Sequence, residues 1–522
     1  MNPFRTDSSD LLDIFNRIAV VIFFAWVAVM FTTPVGEGDF FWHVKTGEWI
    51  WQHKSLPASD PFSFTVKDVN PFNPESKRIP FLLKQYWLGQ LAFFGLWKEA
   101  GETGIVVFRS LCYTGILIFL YAWGRRLAGN SLWPFCGVIL AGKVLQNYSN
   151  ERPQLFAFIC MPLLLFLLEK LRTVNESRPP LWISVCFPLV MLLWSNCHGS
   201  YILGIVVILL YAAAHIAAAL KGAIRLNRFS LLLMAAAALA SGVNPNGYGA
   251  FREFFSLSKS YTNLVVEFTS PIVLAFRYGV IDWYYWLFLL AALASLTFWI
   301  KRVPLAQILA ISALMALSLN GTRYIPFFMM TAPLVCSSLP RWSPQKYLKL
   351  LPLLAVLLIV ATADYHNTLK FRSERAFPAE ASRFLREVTP KGNMFNYIGW
   401  GGYLMCYTDY PVFIDGRTLI EELLPIHNSI LAGAGWQSTL ENYQINFMVI
   451  PGTDSISLQA YPLLLQLLGD DRWSLIYQDE IALILIRNTA DNSSIVKRYA
   501  MDKSIISSHI QARWKWQMKN DF

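Results

Sequence analysis

Charge is what this sequence has least of. Only 15% of its 522 residues are Asp, Glu, Lys or Arg, while 55% are hydrophobic. A soluble protein of this size carries nearer a quarter charged residues. Cysteines at metal or redox spacing are missing too. No CxxC occurs, six of the seven cysteines (Cys112, Cys136, Cys160, Cys186, Cys197, Cys336) lie in or beside apolar runs, and only Cys406 lies beyond them. That pattern implies neither a disulfide framework nor a cysteine-based metal site. There is no low-complexity tract and no obvious internal repeat. A small-residue cleavage site is absent after the first apolar run, which therefore reads as an uncleaved first span.

What the sequence has in abundance is long apolar runs over roughly its first 360 residues, and a mean hydropathy of +0.40. This is the signature of a polytopic membrane protein. The net charge of +10 would suggest nucleic acid in a soluble chain. Here it reads as basic loops facing anionic lipid, with no nucleic-acid partner. About eleven transmembrane helices are expected, at 17–34, 105–123, 132–148, 153–168, 181–195, 201–220, 229–243, 283–300, 305–319, 324–339 and 350–363. Several fall short of the ~20 residues an upright helix needs. The apolar stretch 87–97 is shorter still and reads as a half-inserted helix.

Lys and Arg orient the threading. With the N-terminus inside, five short inner loops hold Arg125, Arg126, Lys170, Arg172, Arg178, Lys221, Arg225, Arg228, Lys301, Arg302, Arg341, Lys346 and Lys349. The short outer loops hold only Arg152 and Arg323. The positive-inside rule then puts the loop 35–104, the loop 244–282 and the tail 364–522 outside. The expected organisation is a membrane module at 1–363, including both outer loops, followed by a C-terminal α/β domain at 364–522. In that tail, helix-like stretches (380–387, 462–468) alternate with the β-rich runs "PVFID", "INFMVI" and "IALILIR".

By this threading the polar residues at span ends collect on the outer side. Asp39 and His43 follow the first span, in a segment that also carries Trp42, Trp49 and Trp51. Glu151 and Arg152 precede the fourth. Asn196 and His198 lie between the fifth and sixth, Asn244, Asn246 and Glu267 in the long loop, and Arg323 before the tenth. Ionisable groups at bilayer depth cost about 2.5–3.5 kcal/mol each on insertion scales, so they usually line a cavity or pair with one another. Acids there suit general-base work or metal binding, and arginines suit bidentate grip on phosphate. For Asp39, His43, His198 and Glu267 the alternatives are a helix cap, a loop hydrogen bond or an ion pair. For Arg152 and Arg323 the alternative is snorkelling to headgroups. Asp60 before Pro61 reads as a turn residue, and Asp415 with Arg417 as a structural turn and ion pair. The tryptophans read mostly as interfacial anchors.

An acid just after the first span, then "LPASDPFSFT" and "YWLGQLAFFGLW", resembles the GT-C superfamily of membrane glycosyltransferases. So do "ERPQLFAF", "WSNCHGSYILG", "VNPNGY", "VVEFTSP", "NYIGWGGYL", "VFIDGR" and "WSLIYQDEIALILIR". The resemblance covers nearly the whole chain. It implies a GT-C-like membrane fold, a polyprenyl-phosphate-linked sugar as donor, and transfer at the outer face to a glycan, lipid or protein acceptor. Asp39 matches the family's catalytic acid in the first outer loop, and by that analogy it deprotonates the acceptor hydroxyl in an inverting reaction. Arg152, Arg323 and Lys143 would then take the donor phosphate. His43 and Glu267 are further catalytic candidates, and Asn196, His198 and Asn244 candidates for acceptor or sugar. Two adjacent acids are common at this place in dolichyl-phosphate-mannose-dependent protein mannosyltransferases, whereas here Gly38 and Phe40 flank a single acid. Aminoarabinose-transferase-like and Rgt-type enzymes are nearer.

A divalent metal on Asp39, His43 and His198 is a further alternative, at a spacing with no recognised signature. Two other function classes stay open: a lipid-linked-sugar transporter or flippase, and a non-catalytic protein of the same fold. The short "MNPFR" start, the lack of sorting signals and the resemblance to bacterial members point to a bacterial inner membrane, with the tail periplasmic.

Overall fold

The computed structural model of the protein describes residues 8–66, 70–129, 131–174, 178–256, 265–340, 377–454, 459–508, 510, 511 and 515. The chain divides into two compact units. Unit 1 is Met1–Thr33 with Thr103–His366, and unit 2 is Pro34–Glu102 with Asn367–Phe522. The sequence division at 363/364 kept the 35–104 loop with the membrane helices; here that loop joins the tail. The physical reason is a shared core, in which Trp42 and Phe62 from the loop are buried with Leu404, Val412, Phe447 and Ile484 from the tail.

Among its described residues, unit 1 has helices joined by loops and no strand. Its elements begin with α1 (Ser8–Met30); α2 (Gly38–His53) and α3 (Arg78–Gln85) belong to unit 2. Then come α4 (Trp87–Ala128), which starts in unit 2, α5 (Trp133–Gln146), α6 (Gln154–Arg172), α7 (Leu181–Cys197), α8 (Tyr201–Leu220) and α9 (Arg228–Ala240). Helices Trp283–Phe298 and Leu305–Asn320 follow. Local sequence sets several starts. The Asn227 side chain accepts the Ser230 N–H, and Asp282 accepts from Tyr284 and Tyr285, each occupying backbone donors that the first turn leaves open.

By length and apolarity, α4, α6 and α8 can each cross a bilayer, and six further apolar helices among the described residues are shorter, at 10–17 residues. Within α4 the backbone breaks at Gly101 (φ 57°, ψ −150°), so the expected short apolar helix at 87–97 and the expected span at 105–123 are two helices on either side of that break. The expected span 324–339 is two short helices, Ile325–Met329 and Ala332–Ser338, each with a proline in its first turn. Proline lacks the N–H that would continue a helix across the join. The expected span 350–363 lies outside the described residues.

Inside unit 1, α6 packs on α7 and α8, and α7 on α9. Glu169 is buried near the C-terminal end of α6. It accepts hydrogen bonds from Tyr211 Oη (2.8 Å), Gln307 Nε2 (2.8 Å) and Arg172 Nη2 (2.9 Å). A buried carboxylate is tolerated when its lone pairs are taken up in this way.

Unit 2 is built on a four-stranded sheet of β1 (Asn393–Asn396), β2 (Ile445–Ile450), β3 (Trp473–Gln478) and β4 (Leu483–Arg487), in the order β1-β2-β4-β3. β1 and β2 run parallel, and β4 is antiparallel to both β2 and β3. The central strands β2 and β4 are buried almost end to end, as expected when both faces of a sheet are covered. "PVFID" does not join this sheet. Val412 forms an isolated parallel bridge with Ser63 of the first loop, and Asn396 Oδ1 accepts the Phe413 N–H at 2.8 Å.

Helix α2 packs along the Gly401–Tyr407 helix. The approach is backbone to backbone: a Cβ on Gly38 would meet the Gly399 carbonyl, and one on Gly402 the Gly38 carbonyl. Of the glycines of "NYIGWGGYL", Gly402 therefore serves this helix contact, while Gly401 lies against the Ile414–Asp415 backbone. Trp42, expected at the interface, is instead a core residue at 5% exposure, while Trp51 is 51% exposed with Lys54 Nζ 3.8 Å from its ring centre.

Candidate functional site

The polar residues singled out by sequence fall into two clusters, one in each unit. In unit 2, Glu37 caps α2 by accepting the Asp39 N–H (3.3 Å), which puts Asp39 in the helix's first turn. The Asp39 carboxylate lies directly over Gly416, where a Cβ would overlap Oδ1. Beside it is a buried ionic lock. Arg417 reaches Asp60 Oδ1 at 2.6 Å through Nη1 and Asp415 Oδ2 at 2.7 Å through Nη2, with all three side chains at 3% exposure or less. Arg417 Nη2 also donates to Ser63 Oγ (3.1 Å), and the Ser63 N–H donates to Asp60 Oδ2 (3.1 Å). Although burial opposes the charge, the two carboxylates raise the Arg417 pKa further above its already high value. Two stretches 357 positions apart, "SDPFS" and "IDGR", thus form one ionic structure.

His43 lies one helical turn after Asp39 in α2. Its ring is buried at 3% exposure, 3.4 Å from Trp42 and 5.4 Å from Tyr86 between centroids. Gln90 Nε2 is 3.4 Å from its Nδ1. These are the surroundings of a packed histidine.

The second cluster is in unit 1. His198 ends α7, and its Nδ1 accepts the Ser200 backbone N–H (3.1 Å) and faces Ser200 Oγ (2.8 Å). The same Oγ accepts from Trp194 Nε1 (3.0 Å). A backbone N–H only donates, so Nδ1 is an acceptor and the neutral ring carries its proton on Nε2. Burial pushes the His198 pKa down to about 3, with the Arg323 and Arg152 cations adding to the effect. Arg152 pairs with Glu267 (Nη1 to Oε1, 3.0 Å). Arg323 stands 4.5 Å from the Phe268 ring centre. Thr322 donates its N–H to Thr269 O (3.1 Å) and its hydroxyl to Glu267 O (3.2 Å), tying the turn before Arg323 to the turn that carries Glu267. Tyr148 belongs here as well, hydrogen-bonded by Thr322.

Other expected residues have structural partners. Asn196 Nδ2 donates to Leu192 O and Val243 O (both 2.8 Å), joining the end of α7 to the segment after α9. Asn244 Nδ2 donates to Ser241 O (2.7 Å) and Gly247 O (2.8 Å). Lys143 Nζ sits 6.0 Å from the Tyr284 ring centre. Glu151 forms a buried ion pair with Arg109, whose guanidinium also bonds Phe31 O (3.1 Å) and Thr33 Oγ1 (2.8 Å). Arg109 was missed from sequence, although an arginine inside the apolar run "IVVFRSLCY" was a readable signal. Among the described residues, no group of three or more His, Cys, Asp or Glu is placed to hold a metal.

No protein-family model matches the chain, and no curated protein matches it. Solved structures do. One is an archaeal oligosaccharyltransferase, AglB from Archaeoglobus fulgidus, in complex with an inhibitory peptide and a dolichol-phosphate: 10% identity, TM-score 0.56, covering 83% of this chain and 69% of that one. Another is an Archaeoglobus fulgidus oligosaccharyltransferase tethered to an acceptor peptide: 12% identity, TM-score 0.53, covering 91% and 74%. A third is ArnT from Cupriavidus metallidurans bound to undecaprenyl phosphate: 12% identity, TM-score 0.52, covering 93% and 99%. At these identities the likeness is one of fold alone.

Proposed function

We propose that this protein is an integral membrane glycosyltransferase of the bacterial inner membrane, moving a sugar from a polyprenyl-phosphate donor to an acceptor at the outer face. The observation that carries the reading is the fold likeness, over 83% and 93% of the chain, to proteins whose structures hold dolichol-phosphate and undecaprenyl phosphate. In the reaction, Asp39 takes the proton of an acceptor hydroxyl, and the oxygen attacks the anomeric carbon. The bond from that carbon to the phosphate oxygen breaks, its electron pair leaves on the polyprenyl phosphate, and configuration inverts. A carboxylate used as general base contributes about 10²–10⁴-fold.

The leaving phosphate gains negative charge, and stabilising it is electrostatic work. Arg323 is assigned to that role, together with Arg152, which Glu267 holds by its ion pair. His198, neutral and with its proton on Nε2, offers a hydrogen-bond donor to the sugar or acceptor. Lys143 is a further cation for the donor, and Asn196 and Asn244 shape the acceptor side through the backbone segments they fix. The orientation is N-terminus cytoplasmic and tail periplasmic, as the Lys/Arg bias indicates.

The test is transfer of radiolabelled sugar from a panel of undecaprenyl-phosphate sugars into a membrane extract, comparing the purified protein with Asp39→Asn. The expected result is loss of transfer in the variant by about 10²–10⁴-fold with donor binding retained. Transfer unaffected by Asp39→Asn would remove the acid from the mechanism. No transfer with any donor, but acid-dependent movement of the lipid-linked sugar across proteoliposomes, would make the protein a transporter.

A further inference from the structure

The Asp415–Gly416–Arg417 turn is held more firmly than a surface turn requires. Arg417 bonds two carboxylates from inside the protein, Asp60 and Asp415, and Ser63 bonds both Arg417 and Asp415 (3.1 and 3.3 Å). The Asp415 side chain also accepts the Arg417 N–H at 2.9 Å, closing the turn on itself. This lock fixes the position of one residue without a side chain, Gly416, and the Asp39 carboxylate lies in the space that a Cβ there would fill. Every group involved belongs to unit 2.

We propose that the Asp415–Gly416–Arg417 turn is the positioning element for the Asp39 carboxylate, with Gly416 supplying the space it occupies and Asp60 and Ser63 fixing the turn. This rests on the reading of Asp39 as the acceptor base. The physical logic is steric. Asp has two side-chain torsions, and its backbone is fixed by the first turn of α2, so the surface facing it selects the rotamer. A methyl group on residue 416 leaves the backbone path of the turn available but displaces the carboxylate. Misplacing a reacting group by about 1 Å can cost on the order of 10²-fold in rate.

The experiment compares Gly416→Ala and Ser63→Ala in the full-length protein, alone and combined with Asp39→Asn. The probe is the radiolabelled undecaprenyl-phosphate sugar that the wild-type protein turns over. Gly416→Ala is expected to lower kcat about 10- to 100-fold with donor KM held within about threefold. Ser63→Ala, which loosens the lock without orphaning a charge, lowers kcat less and in the same sense. On the residual single-turnover rate of Asp39→Asn, neither change has a further effect. A wild-type kcat in Gly416→Ala, or an equal loss on the Asp39→Asn background, overturns the proposal while the base reading stands. Full activity of Asp39→Asn overturns the base reading and the proposal with it. Should Gly416→Ala fail to fold, Ser63→Ala decides: an Asp39-dependent kcat loss supports positioning, and an unchanged kcat overturns it.

Discussion

Arg417 shows what a single residue does here. Asp60, Asp415 and Arg417 are all out of water, and buried charges are stable only in one another's company. Replacing Arg417 with Met would leave two buried carboxylates without their cation. That loss is expected to cost about 3–5 kcal/mol, read as a fall in the detergent-solubilised melting temperature. Arg323→Ala makes the opposite split, leaving the fold intact and lowering kcat/KM for the lipid-phosphate donor about 10- to 100-fold, the worth of a hydrogen bond to a charged group. Steady-state kinetics on the purified variant would check it.

A second residue sets a pH limit on unit 2. His427 is fully buried; its Nε2 accepts the Ile398 N–H (3.2 Å), and its Nδ1 faces Asn428 Oδ1 (3.1 Å). Burial pushes its pKa down to about 4. Because the folded pKa lies below the unfolded value of about 6.5, the unfolded chain binds the proton more readily. Stability contributed by neutral His427 is complete above pH ~6.5 and is lost as pH falls toward 4, by about 3 kcal/mol at pH 4. Melting temperature against pH should show that decline, and His427→Gln should flatten it.

At the scale of elements, the contact between α2 and the Gly401–Tyr407 helix depends on Gly38 and Gly402 having no Cβ. Overpacking at such a contact typically costs about 1–3 kcal/mol, so Gly38→Val and Gly402→Val should each lower stability by that order. Limited proteolysis of the tail would report it. The glycines of "NYIGWGGYL" were visible as a motif, but their partner was not, because helix-to-helix contact at a separation of more than 350 residues leaves no periodic trace. The same holds for "PVFID". Its apolar alternation is strand-like, yet the chain pairs it with Ser63 and leaves β1 to take the edge of the sheet beside β2. Shorter signals read well: the expected helix at 380–387 is Ala379–Val388, and that at 462–468 is Pro462–Leu468.

For the whole molecule, the consequence of the unit division is a folding prediction. Residues 367–522 expressed alone lack Trp42 and Phe62, which belong to their core. That fragment should be insoluble or molten, whereas 34–102 joined to 367–522 by a flexible linker should melt cooperatively by circular dichroism. Topology is equally open to measurement. A cysteine introduced in the tail should react with a membrane-impermeant maleimide on spheroplasts, and one in the 221–228 loop should react only after lysis, if the basic loops face the cytoplasm.

The sequence by itself determined that this is a membrane protein, which segments are apolar, and which acids and arginines are worth watching, because composition and charge bias are local sums over the chain. It also carried the GT-C resemblance, through short stretches spread along its length. Only the tertiary structure decided that the first loop belongs with the tail, that Asp39 rests on Gly416, that Arg417 is shared by Asp60 and Asp415, and that His198 holds its proton on Nε2. Each of these is a contact between groups far apart in sequence or a choice between hydrogen-bond partners. Such contacts are selected by packing, where burial removes water as the alternative partner, and no local pattern encodes them.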